Sequence, residues 1–413
     1  MKKITAWLLT LLLLASMAGC AANQKNNSTT QETNETNQAT TDTSSDETDE
    51  ASTDADTIKI GLSAPMTGTN AEMGTGFEVA IQMAMDEINA AGGINGRMFV
   101  LEVMDSQGDA KEASEIAKKF TADADMLLAI GDYTSTTCMT IAPIYGDAGM
   151  VLVSPSASNP DFAATNEWCF TLAGRTDTES PFNITYVMGK YLGLERVAAV
   201  YVNNDWGVST SGYYLERAEE IGMEITLCES FNSGEKDFAA LITKLRQTNP
   251  EGLNVMAQPT DAAMFVKQVR QQGWDIPISL SGSAYGQQLL DLGGEDVEGC
   301  YITSPYYIDQ DDEVGQAFLT EFESRAGFPA SANIVNAYDV MRSVAAACQS
   351  VVDSGQELTR ATFRDAYAAT TDFKGLSGSF TFSENGDFGK QHIILQIQDG
   401  AFVKLTDFDY ADS

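Results

Sequence analysis

Hydroxyl-bearing residues crowd two short stretches of this chain. Gly131-Asp132-Tyr133-Thr134-Ser135-Thr136-Thr137 follows an apolar run that ends at Ile130, and Ser154-Pro155-Ser156-Ala157-Ser158 follows the apolar run 150–153. Each stretch sits where a strand should give way to a helix or turn. Ser135 is expected to cap a helix over 136–147. The free N–H groups and positive dipole end of such a helix suit a carboxylate, and serine hydroxyls can complete the site. The same serines would equally serve as plain caps of helices and turns. Catalysis by a serine needs a base, and the one histidine, His392, lies in the apolar run 392–397, away from these loops. HExxH, the GxxxxGK[ST] phosphate loop and the G-x-S-x-G elbow are all absent, and Gly74-Thr75-Gly76 is an isolated G-x-G. The residues therefore point to binding, not to an enzyme, and no cofactor or metal site is expected.

The elements that must hold these loops alternate regularly. Strands are expected over 57–63, 98–104, 126–130 and 150–153, with helices over 76–91, 110–123 and 136–147 between them. In the first helix Phe77, Ile81, Ala84 and Ile88 share a face, and Gly92-Gly93 ends it. A second run of the same kind has strands over 197–202, 224–229, 253–257, 278–281 and 300–303. Its helices fall over 180–192, 210–221, 237–248, 261–272 and 286–292. Two such runs predict an α/β protein with two doubly wound parallel sheets. Ligands of these sheets bind beyond the carboxyl ends of the strands, which between two lobes becomes a closable cleft.

Residues outside this pattern bear on location. Lys2 and Lys3 precede an apolar stretch, 4–14, too short to span a bilayer. Ala18-Gly19-Cys20 follows and resembles the bacterial lipobox, with Met17 where that motif usually has Leu. This implies a leader over 1–19 and a lipidated Cys20, anchoring the chain on the outer face of the cell membrane. Residues 21–56 carry nine acidic residues and one lysine with almost no large apolar side chain, a composition that reads as a disordered tether.

The chain carries a net charge of −35. Setting aside +2 for the leader and −8 for the tether leaves −29 on residues 57–413. So acidic a body argues against nucleic acid and against electrostatic binding to anionic lipid. Cys138, Cys169, Cys228, Cys300 and Cys348 are odd in number and widely spaced. They form no metal pattern, and one or two disulfides among them are allowed.

Five segments, in order, resemble the leucine/isoleucine/valine-binding branch of the type I periplasmic binding proteins. They are IKIGLSAPMTG at 58–68, AMDEINAAGGINGR at 84–97, VSPSASNPD at 153–161, VYVNNDWGVS at 200–209 and GEKDFAALITKLRQTNPEGL at 234–253. The resemblance covers nearly all of 57–413. It implies two lobes joined by three hinge crossings, near 176, 305 and 384. Lobe 1 would be 57–176 plus 305–383, and lobe 2 would be 177–304 plus 384–413.

The resemblance also implies a substrate-binding protein of an ABC importer. It would be a monomer that captures a branched-chain or related amino acid and delivers it to a permease. In the resembled proteins the positions matching Ser135, Ser156 and Ser158 hold the ligand's carboxylate and ammonium. Trp206 takes the place of an aromatic that closes over the ligand, and Tyr133 and Tyr285 are further candidates at strand ends. Met73 stands where the family has Trp. The family's ammonium-binding Glu is missing from the loop 281–286, and Asp205 or Asp261 are the acids that would have to replace it. That gap leaves two other readings open. One is the same fold binding an aromatic or short-chain carboxylic acid or amide. The other is a ligand sensor for a signalling receptor.

Overall fold

The computed structural model describes residues 57–309 and 311–408. The leader, Cys20 and the tether lie outside the described residues. The first sheet is built from β1 (Thr57–Ala64), β2 (Met98–Asp105), β3 (Met126–Gly131), β4 (Val151–Ser154) and β5 (Cys169–Thr171). Its order is β2-β1-β3-β4-β5 and every pairing is parallel. Strands buried on both faces read as continuous apolar runs, and β3 and β4 are buried throughout.

The helices between these strands are α1 (Ala71–Ala90), α2 (Ala110–Ala122), α3 (Ser135–Asp147) and the short α4 (Pro160–Ala163). The side chains of α2, α3 and α4 pack together with Met126 and Leu152 from the sheet. On the other side α1 packs with three helices from much later in the chain.

Helix α1 begins five residues earlier than its apolar spacing predicts. Gly74, ahead of the expected start, and Gly76, at it, both lie inside the helix because other chain segments approach too closely for a side chain. A Cβ on Gly74 would lie 2.2 Å from the carbonyl oxygen of Pro65, and one on Gly76 would lie 2.5 Å from Ile334. The isolated G-x-G is therefore a packing device.

After β5 the chain passes through α5 (Thr176–Phe182), which continues as a π-helix over Asn183–Tyr191. It then builds β6 (Arg196–Val202), α6 (Asp205–Ile221), β7 (Glu224–Phe231), α7 (Ala239–Gln247), β8 (Gly252–Met256), α8 (Pro259–Gln271), β9 (Ile278–Leu280), α9 (Gln287–Gly293) and β10 (Tyr301–Ser304). The chain returns to the first sheet with α10 (Glu313–Ala326), α11 (Ala332–Asp353) and α12 (Arg360–Ala368). A two-stranded ribbon, β11 (Phe373–Gly375) and β12 (Gly378–Phe380), follows them. It ends in the second sheet with β13 (Ile393–Gln398) and β14 (Ala401–Lys404).

The second sheet runs β14-β13-β10-β9-β8-β6-β7. It is parallel from β7 to β10, but β13 and β14 add antiparallel. At this edge a two-residue hairpin at 399–400 replaces a helical crossover, so the C-terminal strands join an otherwise parallel sheet antiparallel.

The cores are separate. One draws on 58–172 and 308–388, the other on 184–302 with Leu395 and Ile397. Three stretches cross between the sheets, and they converge on Gly174. A Cβ there would lie 3.6–3.8 Å from His392, Pro305 and Lys390. All five described cysteines are free, four of them buried, so the allowed disulfides are not formed among them.

Candidate ligand cleft between the two sheets

The loop 131–135 leaves β3 over a buried acid. Asp132 is fully buried and accepts from the Ser63 hydroxyl at 3.1 Å and from the Tyr133 amide at 2.6 Å. Burial holds its carboxyl up at about 6. The Ser154 hydroxyl donates to the Asp132 carbonyl at 2.9 Å and accepts from the amides of Ser156 and Ala157. One serine thus clamps the two hydroxyl-rich loops together.

Helix α3 begins at Ser135, and its cap is Thr134, not Ser135 as expected. The Thr134 hydroxyl accepts from the Thr137 amide at 3.2 Å, and its carbonyl accepts from the Cys138 amide. Of the helix's four orphan amides this leaves those of Thr134, Ser135 and Thr136, and Thr134 and Ser135 line the cleft.

The three expected serines meet at one cavity, but their protons are committed differently. Ser135 accepts from the Asn159 amide at 3.2 Å, and Ser158 accepts from the Trp206 indole N–H at 3.0 Å. Each keeps its own proton to donate to an anion. Ser156 donates to the Tyr133 carbonyl at 2.7 Å, so it offers only lone pairs.

The cavity measures about 50 Å³ of space open to the centre of a water-sized sphere. One water needs ~10–15 Å³ on that measure, so the space suits a small molecule. Tyr133, Ser135, Ser156 and Ser158 wall it from the first sheet, and Trp206, Glu179, Gln258 and Ser283 from the second; Gly174 and Pro305 close the hinge side.

Three hydrogen bonds fasten the mouth. Besides Trp206 to Ser158, the Asp205 amide donates to the Thr136 hydroxyl at 3.3 Å, and the Asn159 side chain donates to the Asp205 carbonyl at 3.4 Å. The N-terminus of α6 is thus tied to both serine loops, and the cleft is closed.

The other expected residues lie outside this cavity wall. Asp205 contributes its backbone, while its side chain is exposed in a separate groove. Asp261 is committed to the Ser233 hydroxyl at 2.7 Å and the Gly234 amide at 2.9 Å. Tyr285 packs edge-on against Phe402, with ring centres 4.5 Å apart, beside a second cavity that Tyr306 also lines. Met73 is buried in the first turn of α1, where its sulfur meets the Ser331 hydroxyl at 3.7 Å.

Sequence reasoning missed Glu179. It lies on α5, is 8% exposed and lines the cavity. Its carboxylate accepts from the Gly282 amide at 2.6 Å, and burial pushes its carboxyl up to about 7. It escaped notice because α5 follows the first crossing, where no strand end pointed to a site.

The periplasmic binding protein family matches residues 57–401. The chain belongs to this family. Among periplasmic binding proteins, Leu/Ile/Val-binding protein homolog 1 of Brucella abortus is 27% identical over 335 residues, 80% of this chain and 87% of the relative. The leucine-, isoleucine-, valine-, threonine- and alanine-binding protein of Pseudomonas aeruginosa is 25% identical, over 81% and 87%. The fold is that of the branched-chain amino acid transporter substrate-binding protein LivJ from Streptococcus pneumoniae, solved with isoleucine. The TM-score is 0.78 at 24% identity, covering 84% of this chain and 99% of LivJ. The two α/β lobes around a cleft are thus the type I periplasmic binding protein architecture. Members of the family are substrate-binding proteins and not enzymes. Among the described residues no helix is long and apolar enough to cross a membrane.

Proposed function

We propose that this periplasmic binding protein serves an ABC importer from the outer face of the cell membrane, held by lipid on Cys20. Its ligand is a branched-chain or related small amino acid, delivered by the monomer to a permease. The observation that carries the reading is a small closed cavity with unspent donors on one wall. The Ser135 and Ser158 hydroxyls and the first amides of α3 suit a carboxylate. The names of the Brucella and Pseudomonas relatives support the amino acid class.

Binding starts on the serine loops of lobe 1, residues 57–176 plus 305–383. Lobe 2, residues 177–304 plus 384–413, then swings in and Trp206 covers the ligand. Closure is favoured because the ligand touches both walls only in the closed state. A carboxylic acid without an amine is the second reading, favoured by the absence of an acid in the loop 281–286.

Titration calorimetry with leucine, isoleucine and valine tests the site. Ser135→Ala and Ser158→Ala should each weaken binding by roughly 1–3 kcal/mol. Unchanged affinity in both variants would overturn the assignment.

A further inference from the structure

We propose that Glu179 reads a protonated amine on the ligand, so that the cleft selects zwitterionic amino acids over the matching simple carboxylic acids. This rests on the carboxylate reading of the serine wall and supplies the opposite end of the ligand.

Four observations carry it. Glu179 lines the same cavity as Ser135 and Ser158, from the facing wall. The cavity is small, so anion and cation sites on its facing walls must serve neighbouring groups of one small molecule.

The carboxylate of Glu179 has a single partner among the described residues, the Gly282 amide. A buried carboxylate with so little compensation calls for a cation. The nearby cations are spent elsewhere. Arg175 pairs with Asp177 and Asp387, and Lys390 donates to Asn336 at 2.7 Å. The elevation of the Glu179 carboxyl by burial fits a group waiting for its counter-charge.

The loop that carries no acid is also the loop that makes room. A Cβ on Gly282 would lie 3.3 Å from the Glu179 carboxylate and 2.6 Å from the Thr303 carbonyl. Glycine at 282 therefore lets Glu179 reach over the start of that loop from a different element. Asp205 and Asp261, the acids of the sequence reading, are turned away from the cavity or already bonded.

The test compares leucine with 4-methylpentanoate, which is leucine without its amine, by calorimetry on the full exported chain. The wild type should bind leucine at least roughly 30-fold more tightly, as expected for a desolvated charge pair. Glu179→Gln should lose that preference by weakening leucine while leaving 4-methylpentanoate unchanged. Retained 4-methylpentanoate binding also proves that the variant folds. Glu179→Asp, with the charge kept on a shorter arm, should fall between the two.

A leucine preference unchanged in Glu179→Gln overturns the role of Glu179 and leaves the serine site standing. A wild type that binds 4-methylpentanoate and not leucine overturns it too. Binding of neither overturns the amino acid reading and this inference together.

Discussion

The indole N–H of Trp206 donates to the hydroxyl of Ser158 at 3.0 Å, joining the first turn of α6 to the loop after β4. The bond spans the cleft, and it fixes which way the serine's own proton is free to point. Trp206→Phe keeps most of the apolar lid and removes the donor. Net loss of one such bond costs about 0.5–1.5 kcal/mol. The expected result is a several-fold weaker affinity, carried mostly by faster ligand release in stopped-flow measurements.

Ser135 and Ser156 should separate by phenotype. Ser135→Ala removes a free donor and leaves the Asn159 amide without its acceptor, so ligand affinity falls and the melting temperature without ligand falls as well. Ser156→Ala leaves the Tyr133 carbonyl without its 2.7 Å donor. An orphaned acceptor costs ~1–3 kcal/mol of stability, so this variant should melt lower even without ligand. Melting curves with and without leucine distinguish the two: the leucine-induced rise shrinks in Ser135→Ala and is largely kept in Ser156→Ala.

Glu179 makes unliganded stability depend on pH. Its folded pKa of about 7 lies above the ordinary 4.5 of an unfolded glutamate. The folded state therefore holds the proton more tightly. Its contribution is complete below about pH 4.5 and is lost as pH rises through about 7. The shift corresponds to a loss on the order of 3 kcal/mol. Glu179→Gln, which cannot ionise, should gain stability relative to wild type between pH 5 and pH 8 in denaturant titrations. A constant difference across that range would contradict the buried, uncompensated carboxyl.

Gly74→Ala should destabilise the first lobe. Its Cβ would sit 2.2 Å from the Pro65 carbonyl oxygen, a backbone atom that cannot swing aside. Overpacking of this kind costs typically ~1–3 kcal/mol, and a clash with main chain belongs at the upper end. The midpoint of urea unfolding should fall accordingly.

Much of the lobe architecture was legible because buried parallel strands are short apolar runs and their helices keep a 3.6-residue period. The antiparallel β13 and β14 were less so, since a strand pattern carries no direction. The start of α1 was hidden because Gly74 looks like a breaker until Pro65 is seen against it. At the cleft, Ser135, Ser156 and Ser158 could be singled out as candidates because they follow strand ends. The direction of their hydrogen bonds depends on Asn159, Tyr133 and Trp206 and could not be read. Glu179 was invisible for a similar reason. Its place opposite the serines is set by a chain crossing and by a glycine 103 positions away.

The most direct test is a thermal-shift screen of the chain from residue 21 onward against amino acids and their amine-free analogues. A ligand at 100 times its Kd adds ~2.7 kcal/mol, a rise of several degrees. A shift with leucine, isoleucine or valine and little or none with the matching simple acids is the predicted result. No shift with any amino acid, or an equal shift with the amine-free acids, would contradict the account.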